Sequence, residues 1–241
     1  MNLAKWLREI IPVERQLAIR QRWRRIRRPA WMGTLRRTDP ISDYWGLDRG
    51  TPVDRFFIEH FLCAYQADIH GRVLEIRDSR YTEQFGQNLV EKAVLDIDRG
   101  NPQATIVADL ARADQVASDS FDCFVLTQTL QYVYELRPAL AHAHRILRPG
   151  GVLLATVPGI SRIKPGTGLI DEYWRFTAGS CGALVAEAFG SGSVTVHSYG
   201  NVLTAIAFLA GISGEELSAS ELEAHDPYYP VIIAVRAVKE G

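Results

Sequence analysis

The sequence of 241 residues is poor in cysteine, and its three cysteines lie far apart. Cys63, Cys123 and Cys181 form no C-x-x-C pair and no spacing typical of metal ligands, so we expect no structural metal. Cys123 lies in a strongly apolar run, which favours a thiol buried in the core. Cysteines with no pairing pattern favour a reducing, cytoplasmic environment.

Long hydrophobic runs are also missing. No apolar segment approaches the ~20 residues of a membrane span, and charged residues interrupt the apolar positions at the N-terminus, which argues against a signal peptide. We therefore expect a cytoplasmic protein, with peripheral attachment to a membrane as an alternative. The apolar fraction of 47% is enough for a sizeable core.

Positive charge is concentrated in the first forty residues, which contain eleven Lys or Arg and three Asp or Glu, although the whole chain carries a net charge of −1. Apolar residues at i, i+3, i+4 and i+7 predict a helix over 2–11, and a second helix over about 13–28 is rich in arginine. Residues 1–50 are predicted to form a basic helical arm. Such an arm favours nucleic acid, an anionic membrane, the acidic body of the chain or a second subunit as its partner, with a solvated basic helix as the alternative.

Short apolar runs alternate with helical segments after residue 50. This alternation predicts an α/β domain over 51–241, with a mostly parallel seven-stranded sheet flanked by helices. The predicted strands are 73–76, 94–97, 104–107, 121–127, 152–157, 194–197 and 231–238. The predicted helices are 52–67, 137–148 with its exit at Pro149-Gly150-Gly151, and the segment from Thr177 to about Phe189.

The segment 121–158 reads FDCFVLTQTLQYVYELRPALAHAHRILRPGGVLLATVP. A strand beginning with Phe-Asp leads to a polar turn, and a helix ending in Leu-x-Pro-Gly-Gly leads into an apolar strand. This arrangement resembles class I S-adenosylmethionine-dependent methyltransferases, and the resemblance covers roughly residues 71–240. The stretches RGTPVDRFFIEHFL and DEYWRFT resemble the small bacterial "methyltransferase type 11" subgroup, some members of which act in polysaccharide and natural-product pathways.

The resemblance implies a Rossmann-like fold, S-adenosylmethionine as cofactor and a small-molecule acceptor, with a hydroxyl of a sugar or natural product as the accepting group. The alternative is a protein that keeps this fold without methyl transfer and serves as an assembly partner or a cofactor-independent catalyst. The turn after the fourth strand is neither Asn-Pro-Pro-Tyr nor Asp-Pro-Pro-Tyr, which argues against nucleic-acid bases as substrate.

The loop after the first strand lacks the glycines of the family's VLEIGCG pattern. Residues 71–82 read GRVLEIRDSRYT, in which Glu75 matches the acidic residue and Arg77 and Ser79 replace two glycines. Glycine lets the backbone approach a ligand closely. Either the backbone after Ile76 takes another route with Arg77 turned away, or Arg77 fills the pocket and methylation is lost. A structural ion pair between Glu75 and Arg77 is a third interpretation.

Further cofactor contacts are implied at the ends of the next strands. Asp98 is expected to accept hydrogen bonds from both ribose hydroxyls, with Asp96 as runner-up and a solvated turn carboxylate as the alternative. Asp109 is expected near the adenine amino group, or else caps the helix that follows. The second and third strands lie so close in sequence that the helix between them should be short or missing. The residues that the resemblance assigns to the cofactor are Glu75, Ile76, Arg77, Asp98, Asp109, Leu110, Thr127 and Gln128.

The remaining expectations concern catalysis and the acceptor. Tyr132 stands where relatives often carry histidine, but a tyrosine with its ordinary pKa near 10 is a poor base, so packing or orientation is the alternative role. Beyond a flexible loop over 159–170, Tyr173, Trp174 and Arg175 are expected to form one wall of the acceptor pocket. Trp174 is expected to stack on a ring of the acceptor, or to hold the loop down together with Phe176.

Overall fold

The computed structural model describes residues 12–30, 33, 35, 37–163 and 171–241. The helix predicted over 2–11, and residues 164–170 of the predicted flexible loop, lie outside the described residues. The helices are α1 (Val13–Arg27), α2 (Val53–Ala64), α3 (Arg80–Phe85), α4 (Leu136–Ile146), α5 (Ala178–Phe189), α6 (Val202–Ala210) and α7 (Ala219–Glu223). The strands are β1 (His70–Ile76), β2 (Gln87–Asp96), β3 (Ile106–Val107), β4 (Phe121–Thr127), β5 (Leu147–Pro158), β6 (Val194–Tyr199) and β7 (Ile232–Val238).

The strands form one seven-stranded sheet in the order β3-β2-β1-β4-β5-β7-β6. The first five strands of this order run parallel, and β7 runs antiparallel to both β5 and β6. The predicted mostly parallel sheet is therefore confirmed. Strand order reverses between β1 and β4, and in open α/β sheets ligands bind beyond the carboxyl ends of the strands at such a point.

Two apolar clusters cover the faces of the sheet. On one face, Leu74 and Phe124 pack with residues of α4 and α5, such as Leu140 and Val185. On the other face, side chains of α2 pack against β1, β4 and β5. Because both faces of the central strands are covered, the sequences of these strands are continuous apolar runs.

The chain divides into two compact units, Met1–Phe56 with Gly200–Tyr229 and Phe57–Tyr199 with Pro230–Gly241. The second unit contains the whole sheet and every predicted site residue. In the first unit, buried Arg49 makes two hydrogen bonds to the carboxylate of Glu216, at 2.9 and 2.5 Å. The division into residues 1–50 and 51–241 stays a prediction.

Several element bounds differ from those predicted. The helix predicted over 137–148 ends at Ile146, and the Pro149-Gly150-Gly151 segment belongs to β5 rather than to a helix exit. Leu147 is already paired with Phe121 in the sheet, and the Gly150 N–H donates to the carbonyl of Lys239 at 2.8 Å, so pairing with neighbouring strands extends this segment. Strand β2 starts seven residues earlier than predicted, because the polar stretch that begins at Gln87 pairs with β1.

Helices α3, α6 and α7 were not predicted. Helix α3 has only six residues and is too short for a hydrophobic period. Among the described helices, none is long and apolar enough to cross a membrane.

Candidate functional site

Glu75 fixes the loop that follows β1. Its side chain is 2% exposed, and its two carboxylate oxygens accept hydrogen bonds from the backbone N–H groups of Tyr81, at 3.1 Å, and Thr82, at 2.8 Å. Burial raises the pKa of this carboxyl, against the hydrogen bonds from Thr82 and Tyr81. Among the described residues Glu75 makes no ion pair with Arg77, so the structural ion pair considered from the sequence is not formed. The carboxylate instead ties the loop to the first turn of α3.

Arg77 adopts a left-handed backbone conformation with φ of 72°. Glycine enters this region without the Cβ penalty that other residues carry. The Arg77 N–H donates to the carbonyl of Leu95 at 3.0 Å, and its own carbonyl accepts from Asn101 Nδ2 at 2.7 Å. The side chain is exposed rather than buried beneath the loop. The backbone thus takes a path suited to glycine although the residue is arginine.

The carboxylates of Asp96 and Asp98 differ in how much of their hydrogen-bonding capacity is used. Asp96 accepts from the Asp98 N–H at 3.0 Å and from Asn101 Nδ2 at 2.6 Å, so both of its oxygens are engaged. Asp98 is exposed, and only its Oδ1 is used, by the Gly100 N–H at 2.8 Å. This supports the preference for Asp98 over Asp96 as the residue still able to accept hydrogen bonds from a ligand.

Asp109 forms the helix cap that the sequence left as the alternative to an adenine contact. Its Oδ1 accepts from the Ala111 N–H at 3.0 Å, at the start of a 3₁₀ turn, and the neighbouring Leu110 side chain is buried. The cap uses one carboxylate oxygen, so the adenine contact stays a prediction.

The connection between β2 and β3 contains turns and no helix, as expected. A groove of about 600 Å³ lies beside this connection, and none of the predicted site residues lines it. Its lining residues are Asp78, Ser79, Arg80, Glu83, Lys92, Val94, Gln103 and Thr105.

Unpaired polar atoms are buried at the ends of β4 and β5. Thr127 ends β4, and the next residue, Gln128, has φ of 47° and donates its N–H to the carbonyl of Thr156 at 2.8 Å. Gln131, which is 3% exposed, donates from Nε2 to Gln128 Oε1 at 3.3 Å. In this part of the described structure, three buried atoms have no hydrogen-bond partner: Gln128 Nε2, Gln131 Oε1 and Thr156 Oγ1.

Each buried polar atom without a hydrogen-bond partner destabilises the folded state by about 1–3 kcal/mol. A ligand that supplies the missing donors and acceptors would remove this cost. The donor on Gln128 and the acceptor on Gln131 therefore fit a polar ligand at the switch point of the sheet, as the amino-acid part of S-adenosylmethionine would be.

Tyr132 is half-buried beside this turn. Burial raises the pKa of its phenol, and the negative charge of Glu172 raises it further, while the charges of Arg175 and Arg77 act in the opposite direction. The phenol therefore stays protonated at neutral pH. It can donate a hydrogen bond, but it is a weak general base.

The segment that starts at Asp171 is held against the turn after β4. The N–H groups of Tyr173 and Trp174 both donate to the carbonyl of Gln131, at 2.8 and 3.2 Å. The Trp174 indole donates from Nε1 to the carbonyl of Val133 at 2.9 Å. Phe176 is buried and anchors the segment that starts at Asp171, whereas Trp174 remains 37% exposed and able to contact a ligand. Arg175 pairs with Glu172 at 2.9 Å.

Tyr134, which the sequence did not single out, contacts two residues of the predicted acceptor wall. Its ring lies edge-on to Tyr173, with centroids 5.2 Å apart, and stacks on Trp174 at 6.1 Å. All three rings are exposed. The contact joins segments about forty residues apart, so local sequence patterns carry no signal for it.

Part of the sequence matches a family of known proteins. Residues 61–155 match the family described as "Methyltransferase domain". No curated protein sequence matches the chain significantly.

Solved structures match over most of the chain. An S-adenosylmethionine-dependent methyltransferase from Archaeoglobus fulgidus is 13% identical, with a TM-score of 0.51 over 77% of this chain and 94% of that one. The 1,6-didemethyltoxoflavin-N1-methyltransferase of Burkholderia thailandensis, solved with its namesake substrate and S-adenosylhomocysteine, is 15% identical, with a TM-score of 0.50 over 83% of this chain and 82% of that one. The chain therefore has the class I methyltransferase fold, and residues 61–155 match the model of the methyltransferase domain family.

Proposed function

We propose that this protein transfers a methyl group from S-adenosylmethionine to a hydroxyl of a small molecule, such as a sugar or a natural product. The observation that carries the proposal is the set of buried, unpartnered polar atoms on Gln128, Gln131 and Thr156. They lie at the ends of β4 and β5, beside the strand-order reversal where ligands bind in this class of fold.

Each part of the cofactor has residues suited to hold it. Asp98 keeps a free carboxylate oxygen for a ribose hydroxyl, and Asp109 with the Leu110 backbone is assigned to the adenine. The loop of Glu75, Ile76 and Arg77 and the turn of Thr127 and Gln128 are assigned to the methionine part. When bound, S-adenosylmethionine would supply an electrophilic methyl group, with S-adenosylhomocysteine as the leaving group and the hydroxyl proton passing to water.

The acceptor side of the site is aromatic. Tyr134, Tyr173 and Trp174 present exposed ring surface that suits the apolar face of a sugar or an aromatic ring. Tyr132 contributes a hydrogen-bond donor that orients the acceptor, and its raised pKa argues against a role as base. The rate enhancement then rests mainly on positioning, with reacting atoms about 3–3.5 Å apart.

Two alternatives have specific support. The Burkholderia protein is named as an N1-methyltransferase, which favours nitrogen as the accepting atom. The arginine and serine in place of glycines after β1 favour a protein that keeps the fold and serves as a partner or cofactor-independent catalyst.

Isothermal titration calorimetry with S-adenosylmethionine and S-adenosylhomocysteine tests cofactor binding. We expect binding by the wild type and about tenfold or greater weakening in Asp98→Asn, because the amide replaces a charged acceptor. Asp114→Asn is the control, since that side chain is 91% exposed and lies outside the site. No binding at millimolar cofactor would overturn the proposal.

Methyl transfer from isotope-labelled cofactor to a panel of sugars, phenols and amines, read by mass spectrometry, tests the acceptor. Label on a hydroxyl oxygen is the expected result, and label on nitrogen contradicts the oxygen assignment. Cofactor binding without any labelled product across the panel would favour the non-methylating alternative.

A further inference from the structure

Helix α1 has two different faces. Leu17, Gln21 and Arg24 follow i, i+4, i+7 spacing along one side of the helix, and the last two contact residues of the same unit. Gln21 donates from Nε2 to the carbonyl of Leu47 at 3.1 Å, and Arg24 pairs with Asp48. These polar contacts fix which side of the helix faces the protein.

The opposite side of α1 is an exposed apolar stripe. Ile19, Trp23 and Ile26 also follow i, i+4, i+7 spacing, two residues further along, which places them about 200° around the helix from the first face. Their side chains are 48%, 57% and 65% exposed. These three large apolar side chains form one stripe, while Val13 and Leu17 are exposed on the other side, at 80% and 48%.

Arginines border this stripe along both sides. By helical geometry, Arg15 and Arg22 flank it on one side, and Arg20 and Arg27 on the other, and all four are exposed. The guanidinium of Arg27 lies 5.6 Å from the centre of the Trp23 ring. Between residues 13 and 28 the chain has seven arginines and one glutamate. The positive charge therefore surrounds the apolar stripe.

We propose that α1 is a membrane-surface helix that binds anionic lipid, with Ile19, Trp23 and Ile26 entering the headgroup region and the bordering arginines contacting lipid phosphates. A helix with apolar and aromatic residues on one face and arginines beside them is typical of helices that lie in the plane of a bilayer interface. Tryptophan favours this interface because its ring has an apolar body and a polar N–H. Helix α1 belongs to the first unit and the predicted site residues to the second, and the inference does not depend on the proposed function.

Anionic lipid fits this surface better than nucleic acid or a second copy of the helix does. Nucleic acid would use the arginines through its phosphates and would leave the apolar stripe in water. A second copy of the same helix would bring two sets of arginines together, which like-charge repulsion disfavours. An anionic bilayer satisfies both the charge and the apolar side chains.

Co-sedimentation of the full chain with vesicles tests the proposal, using phosphatidylcholine alone and phosphatidylcholine mixed with phosphatidylglycerol. We expect binding to the mixed vesicles only, weakened by salt. The triple variant Ile19→Ser, Trp23→Ser, Ile26→Ser should lower the bound fraction roughly tenfold or more. Replacing Arg15, Arg20, Arg22 and Arg27 by glutamine should remove the preference for anionic vesicles.

The matched control is a second exposed apolar stripe in the same unit, Val202, Ile206 and Leu209 on α6, which are 47%, 39% and 41% exposed. Helix α6 contains no arginine or lysine. The corresponding triple serine variant should bind vesicles like the wild type. Equal loss in both triple variants would overturn the assignment to α1.

Two further measurements distinguish lipid from RNA and from a second copy of the chain as the partner. Fluorescence anisotropy with a single-stranded RNA should show binding weaker than to mixed vesicles, and sedimentation velocity should show the same oligomeric state for wild type and the α1 triple variant. The proposal is overturned if wild type does not bind the mixed vesicles, if RNA binds more tightly, or if the triple variant changes a dimer into a monomer. Unchanged circular dichroism and thermal midpoint of the variants show that they remain folded.

Discussion

The side-chain amide of Asn101 donates a hydrogen bond to the carbonyl oxygen of Arg77, at 2.7 Å. The same nitrogen donates to Asp96 Oδ2 at 2.6 Å, so one amide joins the loops that follow β1 and β2. The left-handed conformation of Arg77 is thereby supported by Asn101 as well as by the hydrogen bond from the Arg77 N–H to the carbonyl of Leu95 in β2.

Replacing Asn101 by alanine removes both of these hydrogen bonds. We expect a loss of about 1–2 kcal/mol in the free energy of unfolding, and a larger loss for Asn101→Asp, whose carboxylate would face a carbonyl and another carboxylate. Urea denaturation measures both. Gln103→Ala is the control, because its side chain is exposed in the same turn. An Asn101→Asp protein as stable as wild type would show that the amide does not hold these loops.

Arg77→Gly removes the Cβ from a left-handed residue. The relief of strain, about 1–2 kcal/mol, exceeds the entropy cost of glycine, about 0.5–1 kcal/mol, so the protein should become as stable or slightly more stable. Arg80→Gly in the first turn of α3 should instead cost about 1 kcal/mol. Equal destabilisation by both would mean that the Arg77 side chain itself holds the loop.

The same Arg77 variant tests whether the side chain obstructs the cofactor. Because the side chain is exposed, affinity for S-adenosylhomocysteine should change by less than about threefold. Calorimetry measures this, and a rise of about tenfold or more would identify Arg77 as an obstruction of the pocket.

Thr156→Val tests the unpartnered hydroxyl on β5. The change keeps the shape of the side chain and removes a buried atom with no partner, so stability without ligand should rise by up to about 1 kcal/mol. Thr204→Val is the matched control, since that hydroxyl is also buried but donates to the carbonyl of Asn201 at 3.0 Å and accepts from its N–H at 2.9 Å. The control should lose about 1–2 kcal/mol. A destabilised Thr156→Val would show that its hydroxyl is already satisfied in the free protein.

Asp54 in the first turn of α2 should give the protein a specific pH dependence. Burial raises the pKa of this carboxyl from 3.8 to about 6, against the charge of Arg55. The folded state therefore keeps a proton that the unfolded state has lost between pH about 4 and 6, and stability falls as pH rises through this window. Across this window, the free energy of unfolding of Asp54→Asn should fall by about 1–2 kcal/mol less than that of the wild type. Urea midpoints across the window measure it, and an unchanged slope in the variant would contradict the assignment.

The sequence was a good guide where a local pattern decides the structure. Strand β4 begins at Phe121 and ends at Thr127, as predicted, because an apolar run is bounded by a polar residue and a turn. Helix α5 is capped by Thr177 and followed by Gly190, again as predicted. Helix α6 was missed because VLTAIAFLA is apolar nearly all round and shows no helical period.

In the candidate site, too, local sequence patterns predicted some residues, whereas residues with distant partners were missed. The sequence predicted Glu75 and Asp98 at the carboxyl ends of two strands, and the structure has them at that edge of the sheet; their contact with a cofactor stays a prediction. Asn101, Gln131 and Tyr134 were missed, because their roles come from partners far away in the sequence: Asn101 is 24 residues from Arg77. No periodicity or motif reports such contacts before the chain is folded.

The Arg49–Glu216 ion pair described in the first unit has a consequence for synthesis of the chain. Its two halves are separated by 167 residues, and a ribosome adds about 5–20 residues each second. The N-terminal segment must therefore remain without this partner for on the order of ten to thirty seconds while the intervening sheet strands emerge. During that interval its exposed apolar and basic side chains are open to chaperones and to a membrane surface, before the first unit can close.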